Sequence, residues 1–303
     1  MTVNPQPLGN VTGLGARGGI GPPNGRRRIA LCIDDFGLHA GINGAALELA
    51  GLGRVNAIAC MVGAPQWRAG CTALARLDAG ALDIGLHLDF TEAPLATASR
   101  QPLTALLLRA YTTLLNRQRV REEIEAQLGA FEEALGRTPD FVDGHQHVHQ
   151  LPVIRNELLD ALARRSAASP LWLRRTTHFQ GRSLGPQQTL AQRLKPHLIE
   201  ALGAAALSRL AARQGLGQNA HLLGVHDFSA DTARYRTLLR AWLAHAQDGD
   251  LLMCHASQTT GASDPLLPAR LAEYQVLSDA TFPDALSAAG VSLQAMSTIL
   301  GNR

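Results

Sequence analysis

Aromatic residues make up only 4% of this 303-residue chain, and cysteine occupies four positions, Cys32, Cys60, Cys71 and Cys254. So few rings leave few stacking platforms for any extended ligand. There is no CxxC pair and three of the thiols sit inside apolar runs, which argues against a zinc knuckle or a disulfide framework. The cysteines read instead as small buried apolar groups in a reducing, cytoplasmic setting. Charge of one sign is equally scarce. Against 28 Lys and Arg stand 25 Asp and Glu, and a net +3 is too small for a nucleic-acid-binding stripe. No apolar run approaches the roughly 20 residues needed to cross a bilayer, so no transmembrane segment is expected.

What the chain does have is 46% hydrophobic residues, enough for a sizeable core. Residues 1–27 are rich in Gly, Pro and Asn and hold no apolar stretch of signal-peptide length, so they are expected to be a disordered extension. Residues 28–303 are expected to form a single domain. Within it, short β-rich runs near 28–34, 55–62, 82–89, 140–144, 171–175, 221–226, 249–254 and 290–294 alternate with helical patterns. The helices are expected at about 41–52, 66–77, 103–116, 120–136, 153–165, 187–214, 232–247 and 266–277, with Pro196 kinking or splitting the longest. Strands alternating with helices imply an α/β fold: a (βα) barrel, TIM-barrel-like and irregular, with parallel strands inside and helices outside.

Polar groups of the kind that bind metals recur where these strands end. Asp34-Asp35-Phe36-Gly37 follows the first apolar run, and His87 closes Gly85-Leu86-His87. Asp143-Gly144-His145-Gln146-His147-Val148-His149 follows a third strand, and His255 follows Leu251-Leu252-Met253-Cys254. The carboxyl ends of barrel strands are where such folds place chemistry. Taken singly, an Asp pair before Gly is ordinary turn composition and a lone His is commonly a core residue. Together, a carboxylate and two imidazoles make a donor set for a divalent cation with positions left open. In an extended segment His145, His147 and His149 would share a face.

These motifs, in this order, resemble the YdjC-type carbohydrate deacetylases, a family that includes chitooligosaccharide deacetylases and a hopanoid-biosynthesis-associated deacetylase. The resemblance runs from about residue 28 to 295. It implies Asp35, His87 and His145 as metal ligands and Asp34 as general base. His255 falls where a late strand-end histidine acts as general acid or orients substrate, although Ala256-Ser257 replaces the Pro-Gly usual there. His147 and His149 are implied as groups that contact the substrate or stand behind the metal ligands, and Arg174 as an arginine near the substrate.

The implied reaction is metal-dependent hydrolysis of an N-acetyl group on a sugar, oligosaccharide or glycolipid. The mixed donor set admits zinc, manganese, cobalt or magnesium; the two imidazoles lean to zinc and the resemblance leans to magnesium. Hydrolysis of a phosphoester, or sugar binding without catalysis, are the other readings, and a homodimer is compatible with all three. A substrate-covering loop is expected between Asp89 and the helix from 103. Trp67, Trp172 and Trp242 could contact sugar, though core packing is the commoner use.

Overall fold

Behind Arg28 the chain carries a run of apolar side chains, and in the computed structural model this run becomes the central strand β1 (Arg27–Phe36), buried from Ile29 onward. A parallel strand covered on both faces is continuously apolar rather than alternating. The structure describes residues 25–77, 81–166, 171–178, 190–229, 231–258 and 264–301; most of the expected N-terminal extension and residues 187–189 of the expected long helix lie outside them.

The other strands are β2 (Ala57–Cys60), β3 (Asp83–Leu88), β4 (Phe141–Gly144), β5 (Trp172–Leu173), β6 (Gly217–Gln218), β7 (Leu222–Leu223), β8 (Asp250–Cys254) and β9 (Val291–Leu293). Their order is β6-β5-β4-β3-β2-β1-β8-β7, with β9 against the start of β1. Every pairing is parallel. The row is closed by the segment that follows β5: Leu222 N–H on β7 donates to the Thr177 carbonyl at 2.8 Å, and His178 pairs with Leu222. The sheet therefore curls into an irregular parallel barrel surrounded by helices.

Amphipathic helices cover the outside. Helix Arg117–Leu135 buries Val120, Ile124, Leu128 and Phe131, starts at an Asn116 cap that accepts the Arg119 N–H, and ends at Gly136 in the left-handed region. The expected helix over 187–214 is two helices, Leu190–Ala201 and Ala204–Arg213. The break comes not at Pro196, which lies inside the first, but at Gly203, whose φ of 120° suits only a residue without a Cβ. Strand β6 was not foreseen; two residues, Gly-Gln, carry no alternation to read. Trp67, Trp172 and Trp242 are all core residues, and Trp172 Nε1–H donates to Asp83. The four cysteines are free. No described helix is long and apolar enough to cross a membrane.

The loop after β3 is fixed rather than free to swing. The Asp89 carboxylate accepts the N–H groups of Thr91, Glu92 and Ala93, and Glu123 on the neighbouring helix accepts those of Leu95 and Ala96.

Candidate active site

Four strand ends bring the site together, and registration fixes two of them at one level. His87 on β3 stands opposite Asp143 on β4. Glycine at position 85 makes room beside β4 for the Phe141 ring, which a Cβ there would meet at 2.5 Å. On β1 the pairing register shifts between Ile33 and Phe36, and Asp35 takes a left-handed backbone with φ of 67°. Adjacent carboxylates therefore diverge through a bulge. The two do not simply alternate as along an extended strand but part at this kink, which aspartate tolerates better than most residues.

Asp35 points to two imidazoles. Its Oδ1 lies 3.3 Å from His87 Nε2 and 2.9 Å from His145 Nδ1, and one donor atom from each of the three falls within 4.8 Å of the others. Its Oδ2 is taken by Arg270 Nη2 at 2.7 Å, while Arg270 Nε meets Asp264 at 2.6 Å. Burial works to raise the Asp35 carboxyl, but Arg270 and His145 hold it well below the usual carboxylate range. His87 donates through Nδ1 to Asp143 at 2.7 Å, the outer-shell arrangement that frees the other ring nitrogen for a metal. Burial opposes a charge on His87, yet Asp143 and the two β1 carboxylates push its imidazolium up to about 10. A position that so favours positive charge is one where a cation can replace the proton. These donors fit a divalent ion.

A second acidic group, Asp34, His87 and Asp143, is equally tight. It does not fit a metal, because a guanidinium already fills it. Arg174 donates from Nη1 and Nη2 to the two oxygens of Asp34, both at 2.6 Å, and Nη2 also reaches Asp143 Oδ2 at 2.7 Å. Burial raises Asp34, and Arg174 overrides it by charge and hydrogen bonds, leaving the carboxyl below its ordinary value.

The three histidines after β4 do not share a face. His145–Gln150 is a 3₁₀ segment with Gln146 and His147 in the left-handed region, so each ring goes its own way. His145 faces Asp35. His149 is fully enclosed, its Nε2–H donating to the Arg174 carbonyl at 3.1 Å, and burial lowers it to about 4. His147 is half-buried, with Nδ1 unpartnered. Arg174 is 1% exposed and His149 0%. Both are enclosed within the protein, Arg174 gripping carboxylates and His149 a carbonyl, so each stands behind the groups that face the site.

His255 follows β8, with Nε2 4.0 Å from Asp34 Oδ2. Burial depresses its pKa, partly offset by Glu273, Asp35 and Asp34. Arg270 and Glu273 were not singled out in the sequence, since charged residues on helix Leu267–Ser278 look solvated there. Their signal was position: both fall on the buried face that carries Ala269, Ala272, Val276 and Leu277, where a charge needs a partner.

Comparison with known proteins places the chain. A family model described as YdjC-like protein matches residues 28–288. A carbohydrate deacetylase of Mus musculus is 32% identical over 152 residues, 45% of this chain and 47% of that protein. A chitooligosaccharide deacetylase of Yersinia enterocolitica is 32% identical over 128 residues, 40% of this chain and 50% of that protein. The chain spans about half the length of the curated relatives it matches. A solved structure from Enterococcus faecalis V583, of a protein for which cellobiose-phosphate cleavage has been suggested, superposes with a TM-score of 0.64 at 20% identity, covering 91% of this chain and 99% of that one.

Proposed function

Because the chain belongs to the YdjC-like family, we propose that it hydrolyses the N-acetyl group of a sugar or glycolipid with the help of one divalent cation. The observation that carries this reading is the convergence of His87 and His145 on one oxygen of Asp35, with Asp34 and His255 left beside them. The names of the relatives, carbohydrate and chitooligosaccharide deacetylase, support the same substrate class.

Asp35, His87 and His145 would hold the ion. Bound there, it would supply the charge that polarises an acetyl carbonyl and acidifies water. Asp34, kept ionised by Arg174, takes the proton from the attacking water as the new C–O bond forms. His255 gives a proton to the nitrogen as the C–N bond breaks, releasing acetate and a free amine. Arg174 acts by holding Asp34, and His149 by holding the Arg174 carbonyl. Two imidazoles among three protein donors favour zinc, manganese or cobalt over magnesium. Phosphoester hydrolysis with a second ion is disfavoured because Arg174 fills the other acidic group.

The reading is tested by incubating the purified protein with a panel of N-acetylated sugars and glycolipids and measuring acetate and free amine, with and without a chelator. Chelator-sensitive acetate release is expected. Absence of release across the panel, or release indifferent to chelation, overturns it. His145→Ala should weaken metal binding by more than the roughly 10–100-fold that loss of an outer partner costs, read by equilibrium dialysis and elemental analysis. Undiminished metal would shift ligation to His147.

A further inference from the structure

Two buried groups beside the site have no part in the reaction just described. Glu273 is 1% exposed, yet all its bonds run to histidines. Its Oε1 accepts from His226 Nε2 at 2.7 Å, and its Oε2 accepts the backbone N–H of His255. His226 is itself fixed. Phe228 N–H donates to its Nδ1 at 3.2 Å, so that nitrogen carries the lone pair and Nε2 carries the proton given to Glu273. The ring of His255 stands on the same carboxylate, its Nδ1 4.0 Å from Glu273 Oε1 and buried with no hydrogen-bond partner. Its other nitrogen faces Asp34. Phe228 closes the remaining side, edge-on to His255 at 5.0 Å between ring centres.

We infer that Glu273, locked by His226, is the positioning residue of His255: it takes the Nδ1–H of the imidazole and so leaves Nε2 to deliver a proton toward the reacting amide. A gap of 4.0 Å is within the range that closes when substrate seats, since such bonds are often long in unliganded sites. A carboxylate on Nδ1 fixes both the tautomer and the ring, and it favours the protonated form that an acid must start from. The charged groups facing His255 are Asp34 and Asp35 from β1 and Glu273 and Arg270 from helix Leu267–Ser278, with His226, from the segment after β7, bonded to Glu273. Of these, Glu273 is the carboxylate nearest Nδ1. The inference rests on His255 being the acid of the proposed hydrolysis.

The experiment uses metal-loaded protein and the variants Glu273→Gln and His226→Asn. Glu273→Gln keeps an oxygen for the His255 backbone but loses the charge. The His255 pKa, followed by ¹⁵N imidazole resonances, should fall by about one unit, because the imidazolium loses an anion at close range. With an N-acetylated amide substrate, kcat should drop roughly 10–100-fold, a share of what a general acid contributes, with KM little changed. The basic limb of the kcat–pH profile should move to lower pH by the same interval. With 4-nitrophenyl acetate, whose leaving group needs no proton, the loss should be at least about fivefold smaller. His226→Asn should shift both readouts in the same direction by less, and it keeps the idea testable if Glu273→Gln fails to fold. Equal losses on amide and ester with an unmoved His255 pKa would overturn the inference and leave Glu273 a packing residue. The imidazole titration needs no substrate, so a wild-type protein that releases no acetate would sink the deacetylase reading without deciding this one.

Discussion

Asp34→Asn is expected to lower turnover by about two to four orders of magnitude while the cation stays bound, the usual share of general-base catalysis. The substitution is nearly isosteric and leaves the ligand set on Asp35, His87 and His145 untouched. What it removes is the negative charge that Arg174 keeps available at 2.6 Å. An amide oxygen can still accept one of the two guanidinium hydrogen bonds, so the side chain stays in place but cannot take a proton from water. Single-turnover rates beside elemental analysis check both halves of the expectation. Turnover within threefold of wild type would remove Asp34 from the mechanism; loss of metal together with activity would make it a ligand instead.

The second large effect concerns stability. Arg174→Met should destabilise the fold by about 3–5 kcal/mol, because it leaves Asp34 buried without a counter-charge and deprives Asp143 of one of its two partners. For a chain of this size that is a drop of roughly 10 °C in Tm. The pH dependence carries a distinctive sign. In the wild type, burial raises both carboxyls but Arg174 holds them below their ordinary values. Their contribution is therefore complete above about pH 4 and is lost as pH falls through the lowered values. Without Arg174, burial dominates at Asp34, and each proton taken up relieves a stranded charge. The variant should gain on the wild type as pH falls from about 8 to about 5, measured by thermal unfolding at each pH. A gap that widens on acidification would mean that Arg174 is not what stabilises the pair. Arg174→Lys should fall between the two, since a single ammonium keeps charge but not the fork.

The parts of the site legible in the sequence were those carried on strands. β1, β3, β4 and β8 are apolar runs with Asp or His near or just past their carboxyl ends, and both signals survive folding because a strand end points its last side chains into the mouth of the barrel. Orientation was not legible. The alternation of His145, His147 and His149 suggested one shared face, but the left-handed residues at 146 and 147 send the rings apart, and no composition signal announces them. Arg174 was found by likeness to a family pattern, and its work is inward because two carboxylates more than 30 residues away in sequence claim it. Arg270 and Glu273 were missed for a related reason. An Arg and a Glu one turn apart on a helix look like a solvated pair, and only their burial shows that Arg270 serves β1, from the other end of the chain, and Glu273 the residue that follows β8.

The left-handed bend at Asp35 has a consequence for how such a protein can age. Few side chains sit comfortably at a φ of 67°, and asparagine is the one that matches aspartate in both shape and tolerance of that backbone. It is also a single nucleotide change away. Drift at this position therefore has an easy first stop that preserves the bulge but surrenders the charge that Arg270, His87 and His145 share.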